Sequence, residues 1–177
     1  MLFYAGVCFG YYCTMNQKSL DIDHLVNRLA LRLLDKGGRV ATAESCTGGL
    51  IASSFVAVAG SSNWFEEGFV TYSNAAKQRS LGVSSQLLAQ YGAVSIEVVE
   101  AMAAGAAKTA GADYAVATSG IAGPGGSDDK PVGTVCMAVY SAKGIESDVK
   151  RFTGDRTMVR EQSAAHVIGM LLEQINQ

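Results

Sequence analysis

Histidine, proline and tryptophan are scarce in this chain. Only two histidines (His24 and His166), two prolines and one tryptophan occur among its 177 residues. Both histidines fall inside helical patterns, so neither a histidine-based catalytic triad nor a zinc site is expected. The four cysteines lack metal-ligand spacing and the density of a disulfide-stapled fold. These absences predict no bound metal and a reducing, cytoplasmic setting.

An excess of one charge and long apolar runs are also lacking. Fourteen basic residues nearly balance 16 acidic ones, giving a net charge of −2, and the basic residues form no run. This balance argues against a nucleic-acid partner. No apolar stretch reaches the ~18 residues of a transmembrane helix, so no membrane partner is expected.

The first 16 residues differ from the rest of the chain. Residues 1–14 are aromatic and apolar, without an early Lys or Arg or a small-residue cleavage pattern, which argues against a secretory signal. We predict that residues 1–16 are an amino-terminal extension outside the fold and that residues 17–177 form one domain. The alternative is that the aromatic side chains of the extension pack on a neighbouring or partner subunit.

Helices and strands alternate along the predicted domain. Helical spacing of apolar residues predicts helices over 22–36, 50–59, 85–91 and 96–110, a short helix capped by Asn74, and a last helix starting near Asp155. Strand patterns cover 39–43, 68–73 and 114–118, followed by a hairpin of 132–141 and 145–152. Three strands separated by helices and then a hairpin predict an α/β fold. The specific prediction is a three-layer α/β/α sandwich with a mixed, mainly parallel sheet of about five strands.

The run AESCTGG at residues 43–49 joins the first strand to its helix. It places Ser45 and Thr47 on a tight turn, with Gly48 and Gly49 where the helix begins. Such a turn can expose a serine hydroxyl and direct free backbone N–H groups at an anionic ligand. This is what an acyl-transfer enzyme needs. The plainer alternative is a helix N-cap by Ser or Thr with nothing bound.

A serine nucleophile needs a base, and a buried neutral lysine can replace histidine in that role. Lys77 is the best candidate, because the segment 72–77 around it is otherwise polar but uncharged. Tyr72, five residues earlier, could relay a proton or orient the amine. The alternatives are a solvated helix lysine and a core aromatic whose hydroxyl reaches the surface.

A second glycine-rich segment, residues 119–127, also follows a strand. It lacks the Gly-Lys-Ser/Thr of a Walker A loop, and no helical pattern follows it as in a Rossmann fingerprint. Its backbone could donate to a phosphate or an oxyanion, although a plain surface loop fits equally well. Arg156, which follows the predicted cap Asp155, can bind a phosphate or carboxylate. Together these features predict a small anionic ligand.

Six segments resemble those of a known family. They are AESCTGG (43–49), GSSNWFEEGFVTYSNAAK (60–77), YGAVS (91–95), SGIAGPGG (119–126), KPVGTV (130–135) and FTGDR (152–156). In this order they strongly resemble the CinA carboxy-terminal domain family, also known as nicotinamide-nucleotide amidohydrolases or NMN deamidases. The resemblance covers roughly residues 17–177. It predicts the stand-alone form, without the larger amino-terminal domain of full-length CinA proteins.

The resemblance implies hydrolysis of the carboxamide of nicotinamide mononucleotide to nicotinic acid mononucleotide and ammonia. This reaction belongs to pyridine-nucleotide salvage and needs no cofactor. The family is assigned a serine nucleophile assisted by a lysine and a tyrosine, which correspond here to Ser45, Lys77 and Tyr72. N–H groups of the 46–49 turn are expected to stabilise the oxyanion. The predicted substrate-binding residues are Thr47, Gly48, Gly49, Ser119, Gly120, Gly123 and Arg156.

Two alternatives to this interpretation remain open. Cys46 lies beside Ser45 and is a rival nucleophile on chemical grounds, although the family pattern favours Ser45. The domain could instead be a catalytically silent module that binds pyridine nucleotides or acts in competence or damage responses. The partner predicted by the resemblance is the mononucleotide substrate, and the predicted assembly is a homo-oligomer, specifically a dimer.

Overall fold

The computed structural model describes residues 9–126 and 130–177. Its helices are α1 (Phe9–Lys36), α2 (Leu50–Val56), α3 (Asn74–Leu81), α4 (Ser85–Tyr91), α5 (Ile96–Ala110) and α6 (Arg156–Asn176). Its strands are β1 (Val40–Glu44), β2 (Phe65–Val70), β3 (Tyr114–Gly120), β4 (Thr134–Ser141) and β5 (Gly144–Arg151). Residues 1–8 of the predicted extension lie outside the described residues, and residues 9–16 form the beginning of α1.

The strands form one mixed sheet in the order β2-β1-β3-β4-β5. Strand β1 pairs in parallel with both β2 and β3, whereas β4 is antiparallel to β3 and to β5. Four strands therefore run in one direction and β4 runs in the other. The predicted mixed sheet of five strands is confirmed.

Helices cover both faces of the sheet, as the sandwich prediction requires. Residues of α1, α2 and α6 form one hydrophobic core with larger side chains of the strands, such as Val40, Val116 and Met137. Residues of α5, with Leu81 at the end of α3 and Leu88 of α4, form a second core over the alanines of β1 and β3. Because alternate residues of a strand face opposite sides, small residues line one face and larger ones the other. The alanine-lined face lets α5 lie close to the sheet.

A glycine in α5 sets the position of α3. A Cβ atom built on Gly105 would lie 2.0 Å from the carbonyl oxygen of Leu81, the last residue of α3. Only a residue without a side chain allows the two helices to approach this closely. Since α3 also carries Lys77, the α3–α5 contact fixes the backbone from which that lysine projects.

Gly105→Ala is expected to lower the free energy of unfolding by about 1–3 kcal/mol, because the added methyl group must displace α3. The matched control is Gly169→Ala in α6, where a Cβ atom meets nothing within 4 Å. That variant is expected to gain about 0.5–1 kcal/mol, since alanine favours the helix over glycine. Urea unfolding of both variants measures the difference. Equal stabilities would contradict the close α3–α5 packing.

Several predicted boundaries are wrong. Strand β2 begins at Phe65 rather than at Gly68 and ends at Val70 rather than at Ser73. Its start follows from aromatic packing, because Phe55 of α2 makes edge-to-face contacts with both Trp64 and Phe65. Helix α3 is capped by Ser73, whose hydroxyl accepts from the Ala76 N–H, and not by Asn74.

Within residues 9–126 and 130–177, no helix is both long and apolar enough to cross a membrane.

Candidate active site

A cleft of about 250 Å³ lies where β1 and β3 end. Because both parallel strands end at the same edge of the sheet, the segments that follow them lie side by side there. The residues lining the cleft are Ser45, Cys46, Tyr72, Lys77, Ala93, Val94, Ser119, Gly120, Ala122 and Arg156. A larger cavity of about 420 Å³, lined in part by Lys36, Asp113 and Lys143, holds none of the predicted site residues.

Backbone hydrogen bonds fix Ser45 at the end of β1. The Ser45 N–H donates to the Thr118 carbonyl of β3 at 3.0 Å, and the preceding Glu44 carbonyl accepts from the Thr71 N–H at 2.8 Å. The chain then turns through Gly48 and Gly49, both with positive φ (62° and 92°), a conformation that favours glycine. The predicted tight turn therefore presents Ser45 at the cleft.

Lys77 is buried directly beside Ser45. Its side chain is 1% exposed, and its Nζ lies 3.0 Å from Ser45 Oγ. The same nitrogen donates to the Thr71 carbonyl at 2.7 Å. Burial lowers the pKa of Lys77 from its ordinary 10.5, because a charged amine is poorly solvated there. A neutral Lys77 can keep its bond to Thr71 and still accept the proton of Ser45.

Cys46 also lines the cleft, but its thiol is poorly suited to attack. Burial raises the pKa of Cys46 to about 11, with the side chain 6% exposed. The thiolate is the reactive form of cysteine, and at neutral pH almost none of it is present here. Cys46 therefore lacks an activated thiolate, whereas the Ser45 hydroxyl has the Lys77 amine 3.0 Å away as a candidate base.

Cys46→Ala is expected to keep the amide hydrolysis that the family resemblance implies within about threefold of the parent rate, since a protonated thiol contributes little nucleophilic character. Iodoacetamide labelling is expected to modify Cys46 far more slowly than a free cysteine at the same pH. Steady-state rates and peptide mass spectrometry measure the two effects. Loss of turnover in Cys46→Ala, with rapid labelling, would reassign the nucleophile.

Arg156 bridges two walls of the cleft. One guanidinium nitrogen donates to the Gly123 carbonyl at 2.6 Å, and another donates to the Tyr72 hydroxyl at 3.2 Å. Tyr72 is 65% exposed, and within the described residues no hydrogen bond joins its hydroxyl to Ser45 or Lys77. Lys77 contacts Ser45 directly, and a role of Tyr72 in proton transfer stays a prediction.

Ser119 and Gly120, two of the predicted substrate-binding residues, line the cleft. The Ser119 hydroxyl donates to the Ala93 carbonyl at 2.6 Å, which holds the segment before α5 against β3. Gly120 lies where any Cβ atom would be 2.7 Å from the Thr134 carbonyl oxygen. A glycine is therefore required there for β3 and β4 to approach each other.

The remaining predicted binding residues lie outside the described cleft lining. The Thr47 hydroxyl is buried 2.8 Å from that of Thr118. The Gly49 N–H donates to the Glu44 carboxylate at 2.8 Å, so it is not free for an oxyanion. Gly48 lies between these two residues, and Gly123 contributes only its carbonyl to Arg156.

Two charged residues with no role in the sequence-based interpretation contact the turn. Glu44 accepts hydrogen bonds from the backbone of α2, and Arg160 of α6 donates to the Thr47 carbonyl. Glu44 lies inside the AESCTGG motif, directly before Ser45, so its place in the sequence was a reason to consider it a site residue. The contact of Arg160 joins residues 113 positions apart, and a single sequence gives no sign of it.

Across residues 9–126 and 130–177, no group of three or more His, Cys, Asp or Glu side chains is arranged to hold an ion.

Comparison with known proteins identifies the family to which this chain belongs. The CinA C-terminal domain family matches residues 22–175. The chain belongs to this family. A relative in Escherichia coli strain K12, named nicotinamide-nucleotide amidohydrolase PncC, is 51% identical over 160 residues, which cover 89% of this chain and 96% of that protein. A CinA-like protein of Shewanella sediminis is 53% identical over 157 residues, or 88% of this chain and 37% of that protein.

Solved structures agree with this assignment. The crystal structure of a competence-damaged protein (CinA) superfamily member from Klebsiella pneumoniae has a TM-score of 0.85 and 40% identity. The match covers 88% of this chain and 98% of that one. The three-layer sandwich and its mixed sheet are therefore shared with CinA relatives.

Proposed function

We propose that this chain hydrolyses the carboxamide of nicotinamide mononucleotide to nicotinic acid mononucleotide and ammonia. The observation that carries the proposal is the buried Lys77 amine, 3.0 Å from the Ser45 hydroxyl in a cleft of the sheet edge. The choice of substrate is supported by the relatives named nicotinamide-nucleotide amidohydrolase. The pair of side chains supplies what amide hydrolysis needs, a nucleophile and its base.

In the proposed mechanism, the neutral Lys77 amine accepts the Ser45 hydroxyl proton as Oγ attacks the carboxamide carbon. The tetrahedral intermediate then collapses, the C–N bond breaks, and the Lys77 ammonium returns the proton to the leaving nitrogen, which departs as ammonia. Water, deprotonated by Lys77, then attacks the resulting ester, the bond between the acyl carbon and Ser45 Oγ breaks, and the Lys77 ammonium returns its proton to Oγ. The carboxylic acid product loses its own proton to solvent and leaves as the carboxylate. Each cycle consumes one water and leaves Ser45 and Lys77 in their starting states.

The oxyanion needs a hydrogen-bond donor beside Ser45. Gly49 is excluded from this role because its N–H is bound to Glu44. Within the described part of the chain, the Cys46 N–H donates to no backbone carbonyl and contacts the weakly accepting thiol of its own side chain, and Cys46 lines the cleft. We assign this N–H as the donor that stabilises the oxyanion, since the residue after a nucleophile on such a turn commonly serves this purpose. One such donor contributes on the order of 3 kcal/mol to transition-state stabilisation.

The phosphate is assigned to Arg156. Its guanidinium lies exposed in the cleft wall and uses two donors on Gly123 and Tyr72, and guanidinium groups carry five donors suited to phosphate. The cleft of about 250 Å³ falls just below the usual size of ligand pockets, about 300–1,000 Å³. We therefore place the nicotinamide ring inside and the ribose phosphate at the mouth. Tyr72 orients Arg156 in this arrangement.

The wider setting follows the same interpretation. We propose that the domain of residues 17–177 acts in cytoplasmic pyridine-nucleotide salvage as a homodimer, with residues 1–16 as an extension that is not needed for catalysis, although residues 9–16 continue α1. The family match to residues 22–175 supports the domain limits.

A substrate panel tests the proposal. Ammonia release is measured with nicotinamide mononucleotide, with the riboside that lacks the phosphate, and with the dinucleotide. The mononucleotide is expected to react best, and the riboside is expected to show a higher KM, because it loses the contact with Arg156. A folded protein that binds the mononucleotide but releases no ammonia would instead be a silent pyridine-nucleotide-binding module. A protein that neither binds nor hydrolyses it would point to a competence- or damage-related interaction module.

A further inference from the structure

The Glu44 carboxylate is buried beneath the nucleophile turn. Glu44 is 0% exposed, and its oxygens accept from the N–H groups of Gly49, Ile51 and Ala52 at 2.8, 3.2 and 2.8 Å. These are the donors that the first turn of α2 leaves without helical partners. A buried carboxylate is stable only when its oxygens are satisfied in this way. Glu44 immediately precedes Ser45, so its side chain ties the end of β1 to the start of α2.

Arg160 holds the same turn from the other side. Its Nε and one terminal nitrogen donate to the Thr47 carbonyl at 3.1 and 2.7 Å. This two-pronged contact comes from α6, which packs on the α1–α2 face of the sheet. Neither Arg160 nor Glu44 is among the described residues lining the cleft.

The turn between these anchors contains two adjacent glycines. Gly48 and Gly49 both have positive φ, and glycine reaches several backbone conformations at similar energy. Rotation of the peptide between Thr47 and Gly48 would redirect its carbonyl and its N–H. The Arg160 contact fixes that carbonyl, and the Glu44 contact fixes the N–H of Gly49. Together they restrict how far the turn that follows Ser45 and Cys46 can rearrange.

We propose that Glu44 and Arg160 are positioning residues, which act on catalysis by locking the turn of residues 45–49 and thereby the Ser45 hydroxyl and the oxyanion donor. The proposal rests on the amidohydrolase function proposed above. A misplacement of about 1 Å in a catalytic group can cost 100-fold in rate. Release of the turn therefore lowers kcat about 10- to 100-fold and leaves KM for the mononucleotide nearly unchanged, because neither side chain touches the substrate.

The test uses Arg160→Gln and Glu44→Gln in the full chain, assayed for ammonia release from nicotinamide mononucleotide. Glutamine keeps the size of glutamate, but its amide presents N–H donors where only acceptors fit. The matched controls are Arg28→Gln on α1 and Glu173→Gln on α6, both exposed. Arg160→Lys serves as the conservative variant, since one donor can still reach Thr47. It is expected to regain part of the lost kcat. Thermal unfolding verifies that each variant is folded, and Arg160→Gln decides the matter alone if Glu44→Gln does not fold.

The expected result is a lower kcat with constant KM in the two variants and no change in the controls. A raised KM with constant kcat in Arg160→Gln would mean that Arg160 binds substrate, and it would overturn the proposal. Unchanged kinetics in folded variants would overturn it as well.

A second readout distinguishes failure of the positioning proposal from failure of the substrate assignment. It is the rate at which a fluorophosphonate labels Ser45, measured by intact-protein mass spectrometry. If the parent protein does not hydrolyse the mononucleotide, slower labelling of the variants still supports the positioning role. Equal labelling, or no labelling of the parent protein, overturns it.

Discussion

Ser45→Ala is expected to reduce kcat for the mononucleotide by about 10⁴-fold or more, because removal of a nucleophile leaves only the contributions of binding and the oxyanion donor. The cleft keeps its remaining lining, so the substrate still binds. The replaced hydroxyl is 9% exposed and bonded to Lys77, and the variant should therefore fold. Ammonia release measures the rate, and calorimetry measures binding of the mononucleotide.

Ser53→Ala, an exposed position on α2, is the control and should match the parent protein. A Ser45→Ala variant that retains more than about a tenth of the activity would exclude covalent catalysis by this serine. Loss of both binding and activity would indicate a collapsed cleft. The calorimetric result therefore distinguishes a chemical defect from a structural one.

Lys77→Met is expected to lower kcat by about 10³-fold, in line with the loss of a general base. Methionine fills a similar volume with an apolar side chain, which suits a site that is 1% exposed. The Thr71 carbonyl loses its 2.7 Å donor, so the unfolding temperature should change by only a few degrees. Lys108→Met, at an exposed position of α5, is the matched control.

The pH dependence gives an independent check on Lys77. Because its folded-state pKa is lowered below 10.5, the active neutral form accumulates as pH rises, and kcat/KM should increase through that folded pKa. The stability of the fold is also expected to increase with pH. Between the folded pKa and 10.5 the unfolded chain binds the proton and the folded chain does not, so the free energy of unfolding rises with pH in this window.

Lys77→Met removes this contribution, and the parent protein should gain stability relative to the variant as pH approaches 10.5. Urea unfolding of both proteins across the alkaline range measures the difference. A constant difference would mean that the amine has its ordinary pKa, and the neutral-lysine mechanism would lose its basis.

The helices were readily predicted from the sequence because their signals are local. The limits of α4 and α5 match the pattern residue for residue, since Ser caps and glycine ends mark them. Strand β2 was predicted three residues late because its start depends on Phe55 and Trp64, which are brought together only by folding. Local patterns carry no information on such contacts.

In the candidate site, too, some residues could be predicted from local sequence and others could not. Ser45 and Lys77 could be proposed from residue chemistry and the family resemblance, and the structure brings them within 3.0 Å. The turn was expected to offer all its N–H groups to a ligand, but Glu44 occupies that of Gly49. Arg160 could not be found, because a contact between α6 and Thr47 has no signature along the chain.

The central claim is that Ser45 and Lys77 form an amidohydrolase pair. Its most direct test is the initial rate of ammonia release from nicotinamide mononucleotide by the parent protein and by Lys77→Met, with nicotinic acid mononucleotide quantified in the same samples. The account predicts equimolar ammonia and nicotinic acid mononucleotide from the parent protein and about 10³-fold less from the variant. No ammonia from a folded parent protein, or a variant rate within tenfold of the parent, would contradict it.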